Sequence, residues 1–158
     1  MDVVIAAQSF HWFTNRAALE EIHRVLTPNG SFGMVWKMSD FSVSWQTDVC
    51  KFLDRSDQEI GLVFPYQEEW KKAFSRLSQR IFSAPEEFIG FEYTVKSSFD
   101  HAFNFFSSLS PIAGGREPTK KDFVKVFNEI TKKHFKDKGI PLDAIQFKIY
   151  MYWCMKEN

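Results

Sequence analysis

The apolar positions of the first 36 residues follow the pattern of a strand, a helix and a second strand. Val3–Ala7 is an unbroken apolar run, typical of a strand that is buried on both faces of a parallel sheet. Apolar residues at helical spacing follow over residues 19–26, and the turn sequence of residues 27–30 ends that helix. Ser31–Trp36 is a second apolar run. We therefore predict a βαβ unit, which belongs to an α/β fold.

Helical patterns dominate the middle of the chain, and two alternating patterns predict further strands. Apolar stripes predict helices, listed here in chain order: Trp45–Leu53, Trp70–Leu77, Ala102–Leu109 and a helix that begins at the capping box Thr119–Asp122. Pro65 is placed to open the second of these, Ser110-Pro111 to end the third and Gly139 to stop the fourth. Alternation of apolar residues predicts strands at Phe91–Val95 and Ile145–Cys154.

The strand at Val3–Ala7 poses a topological problem. A strand buried on both faces normally has a neighbour at each edge, whereas four predicted strands would leave one apolar edge open. Natural sheets avoid such edges because they invite aggregation. We therefore expect that the chain lacks the amino-terminal half of its domain.

Composition and charge exclude several classes of protein. The chain has 158 residues, 44% of them hydrophobic, which suits one folded domain and argues against disorder. Its 20 basic and 20 acidic residues give no net charge that would attract nucleic acid or a membrane surface. The sequence has no apolar run near the ~20 residues of a membrane span and no basic start typical of a signal peptide. With only Cys50 and Cys154, a reduced cytoplasmic setting is expected.

Three weak motifs have simpler structural explanations. Glu20 and His23 form half of a di-iron motif, but no second copy is present, so a solvated helix face is favoured. Residues 113–115 could cradle a phosphate, yet they do not follow a strand, and a flexible loop is favoured. Residues 119–138 contain seven Lys and three acidic residues. We interpret them as a solvated helix face rather than a nucleic-acid or membrane site.

The loop Gln8–Phe13 is the strongest candidate for a binding site. It follows the carboxyl end of the first strand, which is where ligands bind in open α/β sheets. It is rich in large aromatic residues and contains His11. On position and composition alone, ligand binding and simple packing of the aromatic rings against neighbouring helices are equally good explanations.

Several segments closely resemble class I S-adenosylmethionine-dependent methyltransferases. They are residues 2–13 with Ala-Ala-Gln-Ser-Phe-His-Trp-Phe, residues 17–30 with Ile-His-Arg-Val-Leu-Thr-Pro-Asn-Gly, and residues 33–36. The sequence is most similar to the methyltransferase type 11 branch, which includes fungal trans-aconitate methyltransferase-like proteins. Residues 145–153 also look like the antiparallel last strand of this family.

The resemblance implies that the chain is the carboxyl-terminal half of a Rossmann-like methyltransferase fold. Val3–Ala7 and Ser31–Trp36 would be the fourth and fifth strands, and Phe91–Ser97 and Ile145–Cys154 the last two. Residues 1–158 would then be a single partial domain, comprising a βαβ unit, a helical insert and an antiparallel last strand. The amino-terminal cofactor-binding half would be absent, in agreement with the lack of any Gly-x-Gly motif. We expect this chain to be incomplete and inactive alone.

The resemblance also implies a cofactor and a set of site residues. S-adenosylmethionine would contact Ala7, Gln8, Phe10 and Trp12, and the acceptor would be a small molecule, with a carboxylate among the candidates. His11 would be the catalytic residue, either as a base that deprotonates the acceptor or as a group that only orients it. These two roles stay open at this point.

A second functional hypothesis comes from the open strand edge. The chain could be a non-catalytic half-domain that pairs with another chain through this edge. We expect no nucleic-acid or membrane partner, and the oligomeric state is left open.

Overall fold

The described part of the chain contains every strand that the sequence predicts. The structure is a computed structural model that describes residues 1–60, 69–75 and 81–157. The strands are β1 (Val3–Ala7), β2 (Ser31–Ser39), β3 (Glu86–Lys96) and β4 (Ala144–Met155). The helices are α1 (Arg16–Val25), α2 (Ser44–Ile60), α3 (Lys72–Ser75), α4 (Phe99–Ser107), α5 (Ser110–Ala113) and α6 (Glu117–His134). Turns of 3₁₀ helix span Phe10–Trp12, Glu69–Lys71 and Lys136–Lys138.

The strands are hydrogen-bonded in the order β1-β2-β4-β3. β1 and β2 are parallel, which confirms the predicted βαβ unit. The Lys156 amide donates to the Gly30 carbonyl at 2.8 Å, and the Asp40 amide donates to the Gln146 carbonyl at 2.9 Å. Residue numbers therefore fall along β4 as they rise along β2, so β4 is antiparallel, as predicted for the last strand.

Helix α1 is capped at both ends by side chains. The side chain of Asn15 accepts a hydrogen bond from the Ala18 amide at 2.9 Å, which is the cap predicted for Thr14 or Asn15. Lys156 donates from Nζ to the Leu26 carbonyl at 2.8 Å, where a positive charge also complements the helix dipole. These contacts fix the helix that follows the Gln8–Phe13 loop.

Two compact units make up the chain. The first comprises residues 1–38, the described residues between 69 and 91, and residues 149–157. Its core is an aromatic cluster of side chains that are all buried: Phe10, Phe32, Trp36, Trp70, Phe82 and Tyr152. Burial of so many rings supplies most of the hydrophobic stabilisation of this unit.

The second unit comprises residues 39–60 and 92–148. Its core confirms the predicted helical stripes and consists of Trp45, Val49, Leu53, Ala102, Phe106, Ile112, Phe123, Phe127, Ile130, Ile145 and Phe147. The buried Gln46 side chain donates to the Gln146 carbonyl and accepts from the Gln146 amide, both at 2.8 Å. An amide side chain of α2 thereby satisfies backbone groups of β4.

The sequence-based prediction that β1 is buried on both faces is wrong for this chain. Val3 is 53% exposed and Ile5 is 66% exposed. In the described part of the chain, β1 pairs with β2 alone, so one edge of the strand has no neighbour. The run has the apolar composition of an interior strand, yet two of its side chains are exposed in this structure.

Helix boundaries in the second half of the chain differ from the predictions. Helix α6 begins at Glu117 and not at the Thr119 capping box, since Pro118 suits the first turn of a helix. Pro111 lies in the first turn of α5 and so opens a short helix as well as ending α4. Helix α6 ends at His134, so Gly139, which was predicted to stop this helix, instead ends the following 3₁₀ turn with a φ of +65°.

The helix predicted from Trp70 to Leu77 is seen in part. Trp70 lies in the Glu69–Lys71 turn that leads into α3, whereas Pro65 and Leu77 lie outside the described residues. Among the helices that are described, none has the length and apolar character needed to cross a bilayer.

Candidate functional site

The candidate loop begins with a sharp turn at Gln8, directly after β1. Gln8 has a φ of +51°, in the left-handed region that costs a non-glycine residue about 1–2 kcal/mol. Two hydrogen bonds to β2 hold this conformation: the Gln8 amide donates to the Val35 carbonyl and Gln8 Nε2 donates to the Lys37 carbonyl, both at 2.8 Å. The side-chain amide thus extends the pairing with β2 while the main chain turns away.

Phe10 anchors the loop in the aromatic cluster of the first unit. Its ring has no exposed surface and lies 5.2–6.3 Å, between ring centroids, from four aromatic rings: Phe13, Phe32, Trp70 and Phe74. The ring therefore packs in the core of this unit. The expected contact between Phe10 and the cofactor stays a prediction.

His11 is half-buried and is held by an indole. Trp36 Nε1 donates a hydrogen bond to His11 Nδ1 at 3.2 Å, and Trp36 itself has no exposed surface. Burial lowers the pKa of His11, because an imidazolium is poorly solvated there. Among the described residues, no side chain or carbonyl bonds to His11 Nε2, and this atom is not closed off from solvent.

Trp12 and Ala7 form the open side of the loop. Trp12 is 56% exposed, and its ring lies 5.5 Å from that of His11 with an interplanar angle of 36°. Ala7, the last residue of β1, is also exposed. An exposed indole next to a small residue leaves an aromatic face available to a ligand.

The structure brings Ala7, Gln8, His11 and Trp12 together at the carboxyl end of β1 and directs Phe10 into the core. Gln8 Oε1 has no partner among the described residues and can accept a hydrogen bond. The arrangement therefore offers an amide acceptor, an imidazole and an aromatic face, which together suit a polar ligand with a cationic group.

The sequence did not identify Trp36 as the partner of His11. The signal that could have found the contact is the parallel register: Ala7 lies opposite Val35, so the next residue of β2 comes beside the start of the loop.

The two residues of the Glu20–His23 half-motif have separate partners: Glu20 is exposed, whereas His23 is partly buried against the Phe82 ring. Glu20 pairs with Arg16 at 2.6 Å, and His23 Nε2 lies 2.9 Å from the Glu157 carbonyl. The described residues contain no cluster of three or more His, Cys, Asp or Glu side chains that could hold a metal ion.

Both cysteines are poor nucleophiles. Burial raises the pKa of Cys50 to about 11 and that of Cys154 to about 12. At neutral pH both thiols are therefore protonated, and only a thiolate reacts readily.

Two basic residues at the end of the Lys-rich helix α6 contact an acidic residue of α2. His134 Nε2 lies 2.9 Å from Asp48 Oδ2, and Lys133 Nζ lies 3.4 Å from the same oxygen. These contacts join α6 to α2. The expectation that α6 binds no nucleic acid stays a prediction.

Comparison with known sequences gives matches to methyltransferases. A family model described as a methyltransferase domain matches residues 1–34. An uncharacterized methyltransferase-like protein of Schizosaccharomyces pombe is 51% identical over 73 residues, which are 46% of this chain and 27% of that protein. An uncharacterized methyltransferase of the same yeast is 32% identical over 117 residues, covering 70% of this chain and 42% of that protein. The chain thus spans less than half the length of these curated relatives.

Comparison with solved structures shows the fold. The YcgJ protein of Bacillus subtilis superposes with a TM-score of 0.51 at 18% identity, covering 100% of this chain and 64% of that protein. A type II methyltransferase assigned in Anaeromyxobacter dehalogenans gives a TM-score of 0.55 at 18% identity, covering 97% and 63% respectively. The chain therefore has the α/β, Rossmann-like methyltransferase fold that the sequence predicted. The two yeast relatives are methyltransferases or methyltransferase-like proteins by name, and the solved structures show that the fold is the same.

Proposed function

We propose that this chain forms the part of a class I S-adenosylmethionine-dependent methyltransferase that begins at the fourth strand of the fold, and that it methylates a small molecule once the rest of the site is supplied. The observation that carries the proposal is the loop after β1. In a methyltransferase fold, this loop presents Gln8, His11 and Trp12 at the carboxyl edge of the sheet, which is where α/β proteins bind ligands.

The exposed residues of the loop fit one wall of an S-adenosylmethionine site. Gln8 Oε1 is free among the described residues to accept from an N–H or O–H of the ligand, and Ala7 leaves space beside it. The exposed face of Trp12 can hold a cation, an interaction of about 0.5–2 kcal/mol. When bound, S-adenosylmethionine supplies a methyl group on a positively charged sulfur. The contribution of these residues is to bind, to orient and to exclude water.

The open edge of β1 supports the proposal that further strands complete the sheet. Val3 and Ile5 present apolar side chains on a strand that has one neighbour in the described part of the chain. The sequence has no Gly-x-Gly motif that could cradle the cofactor. We therefore propose that residues 1–158 do not bind the cofactor tightly or turn over alone.

The acceptor is proposed from the resemblance of the sequence to fungal trans-aconitate methyltransferase-like proteins. A carboxylate acceptor is already nucleophilic and would not require a base in the site. Methyl transfer from labelled S-adenosylmethionine to a panel of small carboxylic acids, with alcohols and amines as controls, tests this choice. Transfer to alcohols or amines but to no acid would contradict it.

Cofactor binding tests the main proposal. For this test we design a fusion protein. It carries, in front of Val3, the segment that precedes the matched region in the 51%-identical Schizosaccharomyces pombe relative. Isothermal titration calorimetry measures its binding of S-adenosylmethionine. We expect no micromolar binding by residues 1–158 and measurable binding by the fusion. Trp12→Ala in the fusion should weaken binding by about 2- to 30-fold, and His101→Ala, on an exposed residue of α4, should leave it unchanged.

Two results would contradict the proposal. Micromolar binding by residues 1–158 would show that the site needs nothing more. A folded fusion without affinity for S-adenosylmethionine, together with an inert Trp12→Ala variant, would show that the loop does not line a cofactor site.

A non-catalytic role as an interaction module is the second candidate function. The exposed residues Val3 and Ile5 favour it, because an apolar strand edge can pair with a strand of another chain. Sedimentation velocity and thermal melting distinguish the two. A monodisperse oligomer with a cooperative melt and no cofactor binding in the fusion would favour the module.

A further inference from the structure

We infer that Trp36 holds His11 as a hydrogen-bond donor, whose Nε2–H meets an accepting oxygen of the bound molecule, and that His11 is not the general base of the site. The inference rests on the proposed function and deepens it. It chooses between the two roles that the sequence leaves open for this residue.

The chemistry of the indole decides which nitrogen of His11 carries the proton. Trp36 Nε1 can only donate a hydrogen bond, so the nitrogen that it contacts at 3.2 Å, His11 Nδ1, has to accept. An accepting Nδ1 carries no proton, and the proton of the neutral ring is then on Nε2. The tautomer of His11 is set by its neighbour in this way.

Trp36 is well suited to fix the tautomer because it cannot easily move. Its ring has no exposed surface and lies 5.2 Å from the ring of Trp70 and 5.8 Å from that of Tyr152. Rotation of the indole away from His11 would leave a buried N–H without a partner, which proteins avoid. Trp36 is therefore a positioning residue that acts through His11.

A general base needs a lone pair that faces the acceptor, and this His11 tautomer has none. The lone pair of Nδ1 points to Trp36, and Nε2 carries the proton. Before Nε2 could accept a proton, the ring proton would have to leave Nε2 and another bind to Nδ1, which would break the hydrogen bond from Trp36. The acceptor thus arrives already ionised, or its proton leaves to solvent, and His11 forms no covalent bond in either case.

The outward nitrogen is available for the donor role. Among the residues that the structure describes, His11 Nε2 has no partner, and it is not closed off from solvent. It lies in the same turn as the exposed Trp12 ring. An Nε2–H here would select ligands that present a carboxylate or carbonyl oxygen at this point.

The tautomer is tested by NMR on the uniformly ¹⁵N-labelled 158-residue chain at neutral pH, without any ligand. We expect a scalar coupling across the hydrogen bond between Trp36 Nε1 and His11 Nδ1, together with an Nε2–H ring pattern. The exposed ring of His101 is the internal control and should show no such coupling. Trp36→Phe should abolish the coupling, and if that variant does not fold, His11→Ala tests the same bond from the other side.

Two results would overturn the tautomer assignment. One is an Nδ1–H or doubly protonated His11 ring in the wild-type chain. The other is a folded wild-type chain without coupling between the two nitrogens. Neither measurement involves S-adenosylmethionine, so a wrong tautomer assignment can be told apart from a fusion protein that does not bind the cofactor.

The donor role is tested with simple probes. Sodium acetate should shift the His11 Nε2 resonance in a saturable way, whereas methylammonium chloride at the same ionic strength should not. An unchanged resonance with acetate, or an equal shift with both salts, would refute the donor role. In the fusion protein, a shift of the His11 Nε2 resonance on addition of S-adenosylmethionine alone shows that the accepting oxygen belongs to the carboxylate of the methyl donor. If the resonance of the cofactor-bound fusion protein shifts only after acetate is added, the accepting oxygen belongs to the acceptor.

Discussion

Truncation of Phe10 should destabilise the protein more than any other change in the candidate loop. The ring has no exposed surface and contacts four other aromatic rings, so Phe10→Ala removes a whole side chain from a packed cluster. Such truncations cost about 3–5 kcal/mol. Because domains of this size are stable by only about 5–15 kcal/mol, the loss is a large share of the total.

Urea unfolding measures this loss, and two further variants calibrate it. Phe10→Leu keeps part of the volume and should cost roughly 1–3 kcal/mol, which remains measurable if Phe10→Ala is largely unfolded. Trp12→Ala is the matched control, because Trp12 lies in the same turn but is 56% exposed, and it should cost less than about 1 kcal/mol. If Phe10→Ala cost no more than Trp12→Ala, the assignment of Phe10 as the anchor of the loop would be refuted.

Three further predictions concern the stability and reactivity of other residues. Gln46→Leu should cost roughly 1–3 kcal/mol in urea unfolding, since it leaves the Gln146 amide of β4 unpaired while the Gln146 carbonyl keeps its bond from the Asp40 amide; no loss would contradict this. Cys50 and Cys154, with pKa values of about 11 and 12, should resist iodoacetamide at pH 7.5 until urea unfolds the chain, as mass spectrometry would show. The hydrogen bond from His134 holds the pKa of Asp48 below its ordinary 3.8, so Asp48→Asn should lower stability by under about 1 kcal/mol at neutral pH. This difference should vanish as the pH falls through the lowered pKa, and a constant difference would refute it.

The order of secondary structure could be predicted from apolar periodicity because each element buries one continuous face. Helix α2 is an example: Trp45, Val49 and Leu53 recur at helical spacing in the sequence and lie together in the core of the second unit. The alternating residues of β4 were equally clear. Periodicity succeeds here since burial of one face is what stabilises these elements.

Two kinds of boundary were predicted wrongly: the start of a helix with two competing start signals, and the start of a strand whose two faces are both exposed. The Thr119 capping box competes with Pro118, which suits a helix start two residues earlier, and the helix begins at Glu117. Strand β3 begins at Glu86 and not at Phe91, and Glu86, Glu87 and Phe88 are all exposed. An edge strand that is exposed on both faces leaves little alternation in its sequence.

The place of the candidate loop in the fold could be predicted, whereas the surroundings of each of its residues could not. A loop after a parallel strand is a common binding position, so Gln8–Phe13 could be chosen as the candidate loop from the sequence. Whether each aromatic ring faces the core or solvent depends on the turn at Gln8, whose positive φ no spacing rule indicates. Phe10 and Trp12 are two residues apart and have opposite environments for this reason.

The end of β2 organises the whole loop. Val35 and Lys37 accept hydrogen bonds from the main chain and side chain of Gln8, and Trp36, between them, donates to His11. Carbonyl groups two residues apart on a strand point to the same edge, so those of Val35 and Lys37 both reach Gln8, while the Trp36 side chain between them reaches His11. Any shift of β2 relative to β1 would therefore move the turn and the imidazole together. The order of this loop should consequently depend on the β1–β2 pairing.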